Sequence, residues 1–99
     1  MLNINKNIDG NKACYQLEGR LDTVTSPDLE EALKENIESL EELVLDFGNL
    51  EYISSAGLRV LLAAHKIVSK NGQMKLTNVN STIMEIFDVT GFSDILTIE

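Results

Sequence analysis

Leu43-Val44-Leu45-Asp46-Phe47, then Gly48-Asn49, then Leu50-Glu51-Tyr52-Ile53-Ser54-Ser55-Ala56-Gly57, then a segment from Leu58 to Val68: this stretch decides the fold. The first five residues form a short, nearly continuous apolar run, the pattern of a parallel central strand buried on both faces. Gly48-Asn49 predicts a turn after it. From Leu58 the apolar period becomes helical, with Leu58, Leu61, Leu62, His65 and Val68 on one face. Strand, turn and helix in that order are half of a parallel crossover unit, so the chain is read as α/β.

Upstream, Leu2 to Ile8 alternates apolar and polar residues and reaches Asp9-Gly10, a dipeptide suited to a tight hairpin, after which Ala13 to Leu17 supplies a second strand. At Ser26-Pro27 the period changes again. Serine is a good N-cap, proline is favoured at the first helical position, and Leu29, Ala32, Leu33, Ile37 and Leu40 follow at helical spacing. The opposite face carries Glu30, Glu31, Lys34, Glu35 and Glu38 and reads as solvated. Downstream, Asn71-Gly72 predicts a left-handed helix end. Met74 to Val79 reads as a strand, Thr82 and Glu85 as a capping box for a third helix closed by Gly91, and Ile95 to Ile98 as a last strand. The opening hairpin is antiparallel and the crossovers enforce parallel neighbours. The expected architecture is therefore a mixed sheet with helices packed on it, in a single domain covering residues 1–99.

Composition narrows the function. A chain of 99 residues that is 43% apolar can bury one core unaided. Sixteen acidic side chains against eight basic ones give a net charge of -8, which repels nucleic-acid backbones and anionic membranes. No apolar run approaches the ~20 residues of a membrane span. A lone Cys14 and the lack of a secretory leader make the cytoplasm the expected compartment.

Candidates for catalysis are thin. His65 is the only histidine, has no second histidine or paired cysteine to share a metal, and reads as a packing or surface residue. Cys14, beside Tyr15 in a strand, reads as an inert small hydrophobe. The glycines spell no phosphate-binding loop, and no cofactor or metal is expected. A receiver-like phosphotransfer role for Asp46 would need further carboxylates and a lysine after Lys75, which the chain lacks. Ser54 and Ser55 differ, because they stand where a strand gives way to a helix, and the unpaired amides and macrodipole of a helix start favour an anion. On position alone, one of the two serines simply caps the helix.

The segment Tyr52-Ile53-Ser54-Ser55-Ala56-Gly57-Leu58-Arg59-Val60-Leu61-Leu62 resembles the motif of bacterial anti-sigma-factor antagonists, the single-domain STAS proteins. Leu17-Glu18-Gly19-Arg20-Leu21-Asp22, Val44-Leu45-Asp46-Phe47 with Leu50, and Gly91-Phe92 with Ile95 resemble three further motifs of that family, in the right order and over nearly the whole chain. The resemblance implies a STAS-like α/β fold and a binding protein, not an enzyme. In that family the unphosphorylated protein binds an anti-sigma factor that is also a serine kinase and so frees the sigma factor. The kinase phosphorylates a serine at the start of the second helix, the complex dissociates, and a serine phosphatase resets the switch. By resemblance that serine is Ser55, with Ser54 the second candidate, and the partner surface comprises Asp22, Thr23, Ser54, Ser55, Gly57 and Arg59. Ser54 stands where the family has an acidic residue, and Ala56 where it has a second hydroxyl. Arg59, four residues after Ser55, either steadies a phosphate or is an ordinary surface arginine. The competing expectation is a STAS scaffold that binds a partner with no phosphorylation switch. Oligomeric state, sigma factor and pathway are not legible in the residues.

Overall fold

The computed structural model describes residues 2–35 and 37–99; Met1 and Asn36 lie outside the described residues. The elements are β1 (Leu2–Asp9), β2 (Lys12–Leu21), α1 (Ser26–Lys34), β3 (Glu42–Ile53), α2 (Ser55–Val68), β4 (Gln73–Thr77), α3 (Ser81–Thr90) and β5 (Thr97–Ile98), with 3-10 turns at Ile37–Ser39 and Phe92–Asp94. The strands lie side by side in sequence order, β1 antiparallel to β2 and every later pair parallel. The mixed sheet with an opening hairpin is therefore as expected. Asp9 pairs with Lys12 across a two-residue loop in which Gly10 has φ +63° and Asn11 does not have positive φ, the pattern of a type II′ turn.

Register defines the core. Ala13, Leu43 and Met74 align across β2, β3 and β4, as do Tyr15, Leu45 and Leu76, and all six are buried. Leu29 and Leu33 of α1, Leu58, Leu61 and Val68 of α2, and Ile83 and Phe87 of α3 complete the same cluster. Phe47 and Phe87 join sheet to helix with ring centroids 6.2 Å apart. The intervening residues Cys14, Val44, Asp46, Lys75 and Thr77 are only half-buried. The central strand is thus covered on one face, not both. All three crossovers step across the sheet in the same direction, and right-handed connections then put every helix on one side.

Other boundaries moved for local reasons. The apolar residues after Lys34 continue into a 3-10 turn, which still buries Ile37 and brings Leu40 into the core. Gly48-Asn49 is no turn: β3 runs straight through it. Between the pairs Gln16↔Asp46 and Arg20↔Tyr52, β3 uses six steps against four on β2, and the surplus is absorbed as bulges. The Asp46 carboxylate serves this irregularity, accepting from the Gly48 N–H at 2.8 Å and from Asn78 Nδ2 at 3.0 Å.

Gly72 has no positive φ, and α2 ends on Ser69 in right-handed geometry. Gly72 is required because a Cβ there would strike the Glu41 backbone. The cap of α3 is Asn80, whose Oδ1 accepts from the Ile83 N–H at 2.9 Å, in place of the Thr82–Glu85 box. Gly91 closes α3 with φ +81°, as expected.

Candidate functional site

The site stands at the carboxyl ends of β2 and β3. The two strands finish together, Leu21 paired with Ile53, and the Ser54 N–H donates to the Leu21 carbonyl at 2.9 Å. Ser54 has extended backbone, φ −101° and ψ 175°, and its carbonyl accepts the first helical bond from Leu58 at 3.0 Å. It is the N-cap residue of α2 by backbone only, because its side chain makes no capping bond. Ser54 Oγ is buried and has no hydrogen-bond partner among the described residues. Ser55, the first helical residue, is exposed, and the N–H groups of Ser55, Ala56 and Gly57 find no acceptor among the described residues. The simple expectation of a serine cap is therefore not met by either hydroxyl. What results is an exposed hydroxyl on a helix start whose positive end is unneutralised.

Gly57 lies beneath this surface. It is buried, and a Cβ would approach Leu21 Cγ and Ile53 Cγ1 to 2.8 Å, so the missing side chain lets α2 settle onto the ends of both strands. A residue in that position supports the start of α2 from below, while its neighbour Ser55 faces outward.

The loop from β2 to α1 forms the neighbouring rim. The Asp22 carboxylate accepts from the N–H groups of Val24 and Thr25, both at 3.0 Å, and the Asp22 N–H donates to Thr25 Oγ1 at 2.9 Å. Thr25 Oγ1 in turn donates to the Arg20 carbonyl at 2.8 Å, and Ser26 Oγ to the Asp22 carbonyl at 2.5 Å. Thr25 and Ser26 are buried by this arrangement, whereas Thr23 and Val24 are carried outward at the tip. The N–H of Thr25 is foremost in holding the Asp22 carboxyl below the usual carboxylate range, with the Thr25 hydroxyl, the Val24 N–H and the charge of Arg20 acting in the same sense. Asp22 thus shapes the loop and has only its second oxygen, 3.8 Å from Arg20 Nε, turned to another group. Arg59 is exposed one helical turn beyond Ser55. It lines a groove of about 400 Å³ between α1 and α2 together with Thr23, Pro27, Glu30 and Ala56.

A family model described as the STAS domain matches residues 3–99 of this sequence. The chain belongs to the STAS domain family. The anti-sigma-B factor antagonist of Bacillus subtilis is 32% identical over 98% of this STAS domain and 92% of its own length. An anti-sigma factor antagonist from Mycobacterium paratuberculosis shares the fold with a TM-score of 0.89, at 21% identity, over 99% of this chain and 85% of that one. The Bacillus protein SpoIIAA, at 16% identity, superposes over 98% of this STAS domain with TM-scores of 0.77 unphosphorylated and 0.76 phosphorylated, covering 87% and 91% of those chains.

Of the residues singled out in the sequence, Asp22, Thr23, Ser54, Ser55, Gly57 and Arg59 therefore come together at one end of the STAS domain, contributed by two loops and the start of α2. His65 and Cys14 do not join them. His65 is half-buried on α2 with Nδ1 lacking a partner among the described residues, and Cys14 is half-buried in β2, where burial foremost pushes its thiol pKa up. Three surface residues near the ends of β2 and β3 were not singled out as contact residues in the sequence. Val24 is 83% exposed and Tyr52 37% exposed, and the Arg20 guanidinium carbon lies 4.5 Å from the Tyr52 ring centroid. The bulges in β3 bring Arg20 opposite Tyr52, and no local pattern announces that register.

Proposed function

We propose that this STAS domain is an anti-sigma-factor antagonist of the cytoplasm, a binding protein switched by phosphorylation of Ser55. In its unphosphorylated form it binds an anti-sigma factor with serine-kinase activity and releases the sigma factor; the phosphorylated form is released and a serine phosphatase restores it. The observation that carries this reading is the contrast between two adjacent hydroxyls: Ser55 is exposed at the start of α2, whereas Ser54 Oγ is buried. The name of the Bacillus subtilis relative supports the partner class.

The physics follows from that position. A phosphoserine adds about -1.5 to -2 charges near neutral pH. The free amides of the first turn accept an anion locally, so the domain stays folded. A docked partner, by contrast, meets an unmatched charge, and since each ~1.4 kcal/mol is tenfold in affinity, a loss of a hundredfold or more is expected.

The test combines labelling and binding. Incubation with its anti-sigma kinase and ATP, read by mass spectrometry, gives one phosphate on the unaltered chain and on Ser54→Ala, and none on Ser55→Ala. Ser55→Ala binds the kinase constitutively, and Ser55→Asp binds at least a hundredfold more weakly with an unchanged melting temperature. A chain that binds but never gains phosphate is a scaffold, and equal affinity of the two Ser55 variants removes the switch.

A further inference from the structure

The two edges of the sheet differ. β5 closes one with only Thr97–Ile98, too short to template another strand, whereas β1 leaves eight residues along the other, with every residue from Asn5 to Asp9 exposed. A two-residue loop joins β1 to β2, so the flanking pair Asp9 and Lys12 exchanges both backbone bonds and fixes the alternation behind it. Asp9, Asn7, Asn5 and Asn3 aim their N–H and C=O groups at β2; Ile8, Lys6, Ile4 and Leu2 aim theirs away from the sheet. The usual devices that block such an edge are missing from β1. It contains no proline, and its register with β2 runs without a bulge. Its one lysine, Lys6, is drawn back over the Tyr15 ring to Glu35 at the end of α1, which neutralises it.

We infer that this edge pairs with the same edge of a second copy of the chain, the two β1 strands running antiparallel about a two-fold axis at Asn5 and joining both sheets into one. Such an axis requires that where residue i faces residue j, j also faces i, so the strand must be palindromic in character. Leu2-Asn3-Ile4-Asn5-Lys6-Asn7-Ile8 is nearly so about its centre: Leu2 meets Ile8, Asn3 meets Asn7 and Asn5 meets itself, with Ile4 against Lys6 the single mismatch. This register also suits the backbone, because it sets outward-aimed residues opposite outward-aimed residues, and it gives Ile8, 42% exposed, an apolar neighbour in Leu2 of the second copy. An axis at Lys6 would put two lysines directly opposite, and one at Ile4 would leave Ile8 unpaired. With Lys6 against Asp9 the strand is itself neutral, so it adds nothing to the repulsion between two chains of net charge -8. It shares no residue with the Ser55 site, and the pairing is independent of the phosphorylation reading.

The measurement is sedimentation velocity on the unaltered chain, on Asn5→Asp, on Asn5→Lys and on an equimolar mixture of the two variants, from about 1 μM to about 1 mM, with each melting temperature recorded. Contact along one strand lies at the small end of specific interfaces, so the unaltered chain passes from monomer to dimer within that range. Asn5 is exposed, and both variants melt near the unaltered chain. On the axis the two side chains at this position stand closest, and like charges there weaken dimerisation by roughly tenfold or more in each variant alone. In the mixture a carboxylate meets an ammonium, and dimers return at or below the concentration the unaltered chain needs. A chain that stays monomeric throughout overturns the pairing and leaves the edge to a strand of another protein. Dimers that neither charge weakens overturn β1 as the contact, and variants that weaken but do not recover on mixing overturn the axis at Asn5.

Discussion

Replacing Gly57 by alanine tests the geometry that sets Ser55 in place. The added Cβ would lie 2.8 Å from Ile53 Cγ1, 2.8 Å from Leu21 Cγ and 3.1 Å from Leu21 Cδ2. Unstrained carbon contacts lie at about 3.5–4.0 Å, so each neighbour must retreat by roughly 0.7 Å. Neither has anywhere to go, since Leu21 is 0% and Ile53 2% exposed. Overpacking of this kind costs about 1–3 kcal/mol, and a collision with two walled-in side chains at once falls at the upper end. Alanine recovers about 1 kcal/mol through helix propensity and a less flexible unfolded chain. The net loss is about 2 kcal/mol, or a melting temperature lower by roughly 8–16 °C for a domain of this size. Thermal and urea unfolding followed by circular dichroism give both quantities. In a Leu21→Ala background two of the three collisions vanish, so the same Gly57→Ala step should cost at least about 1 kcal/mol less. A Gly57→Ala variant that melts at or above the parent, or strict additivity with Leu21→Ala, would refute the argument.

Two further outcomes follow from the hydrogen bonds around the site and at the start of α3. Asn80 caps α3 through Ile83 and also donates from Nδ2 to the Leu50 carbonyl at 3.0 Å, tying the helix to the bulged strand. Asn80→Ala should lower unfolding free energy by about 1–2 kcal/mol in urea titrations, and an unchanged midpoint would remove both roles. The Asp22 carboxyl titrates below its ordinary range in the folded state, so its ionised form favours folding above the unfolded value near pH ~3.9, and that contribution fades as pH falls through the lower folded value. The melting-temperature advantage of the unaltered chain over Asp22→Asn should therefore be constant from pH 7 to about 5 and shrink below pH ~4. An advantage that grows on acidification has the wrong sign for this arrangement.

Much of the architecture was legible because it depends on short-range patterns. Asp9-Gly10, Ser26-Pro27 and Gly91 marked a hairpin, a helix start and a helix end where the structure has them. The failures share a cause. Gly48-Asn49 looked like a turn because its composition is that of one, yet the pairing of β3 with β2 on one side, and Asp46 bridging to Asn78 on the other, keep the strand going. Gly72 looked like a left-handed cap, yet what demands glycine there is the Glu41 backbone, thirty-one residues away. Gly57 belonged to a recognisable motif, but its reason for being glycine is contact with Leu21 on another strand.

The residues alone determined that this chain makes a mixed sheet with helical crossovers, that its surface is acidic, and that a serine pair opens the second helix; each of these depends on the order and period of neighbouring side chains. Only the folded molecule decided that the sheet is covered on a single face, that Ser54 Oγ is enclosed while Ser55 is open, and that Arg20 lies over the Tyr52 ring. Those are outcomes of strand register and of which segments meet across the core, and the free energies that set them come from partners distant in the chain.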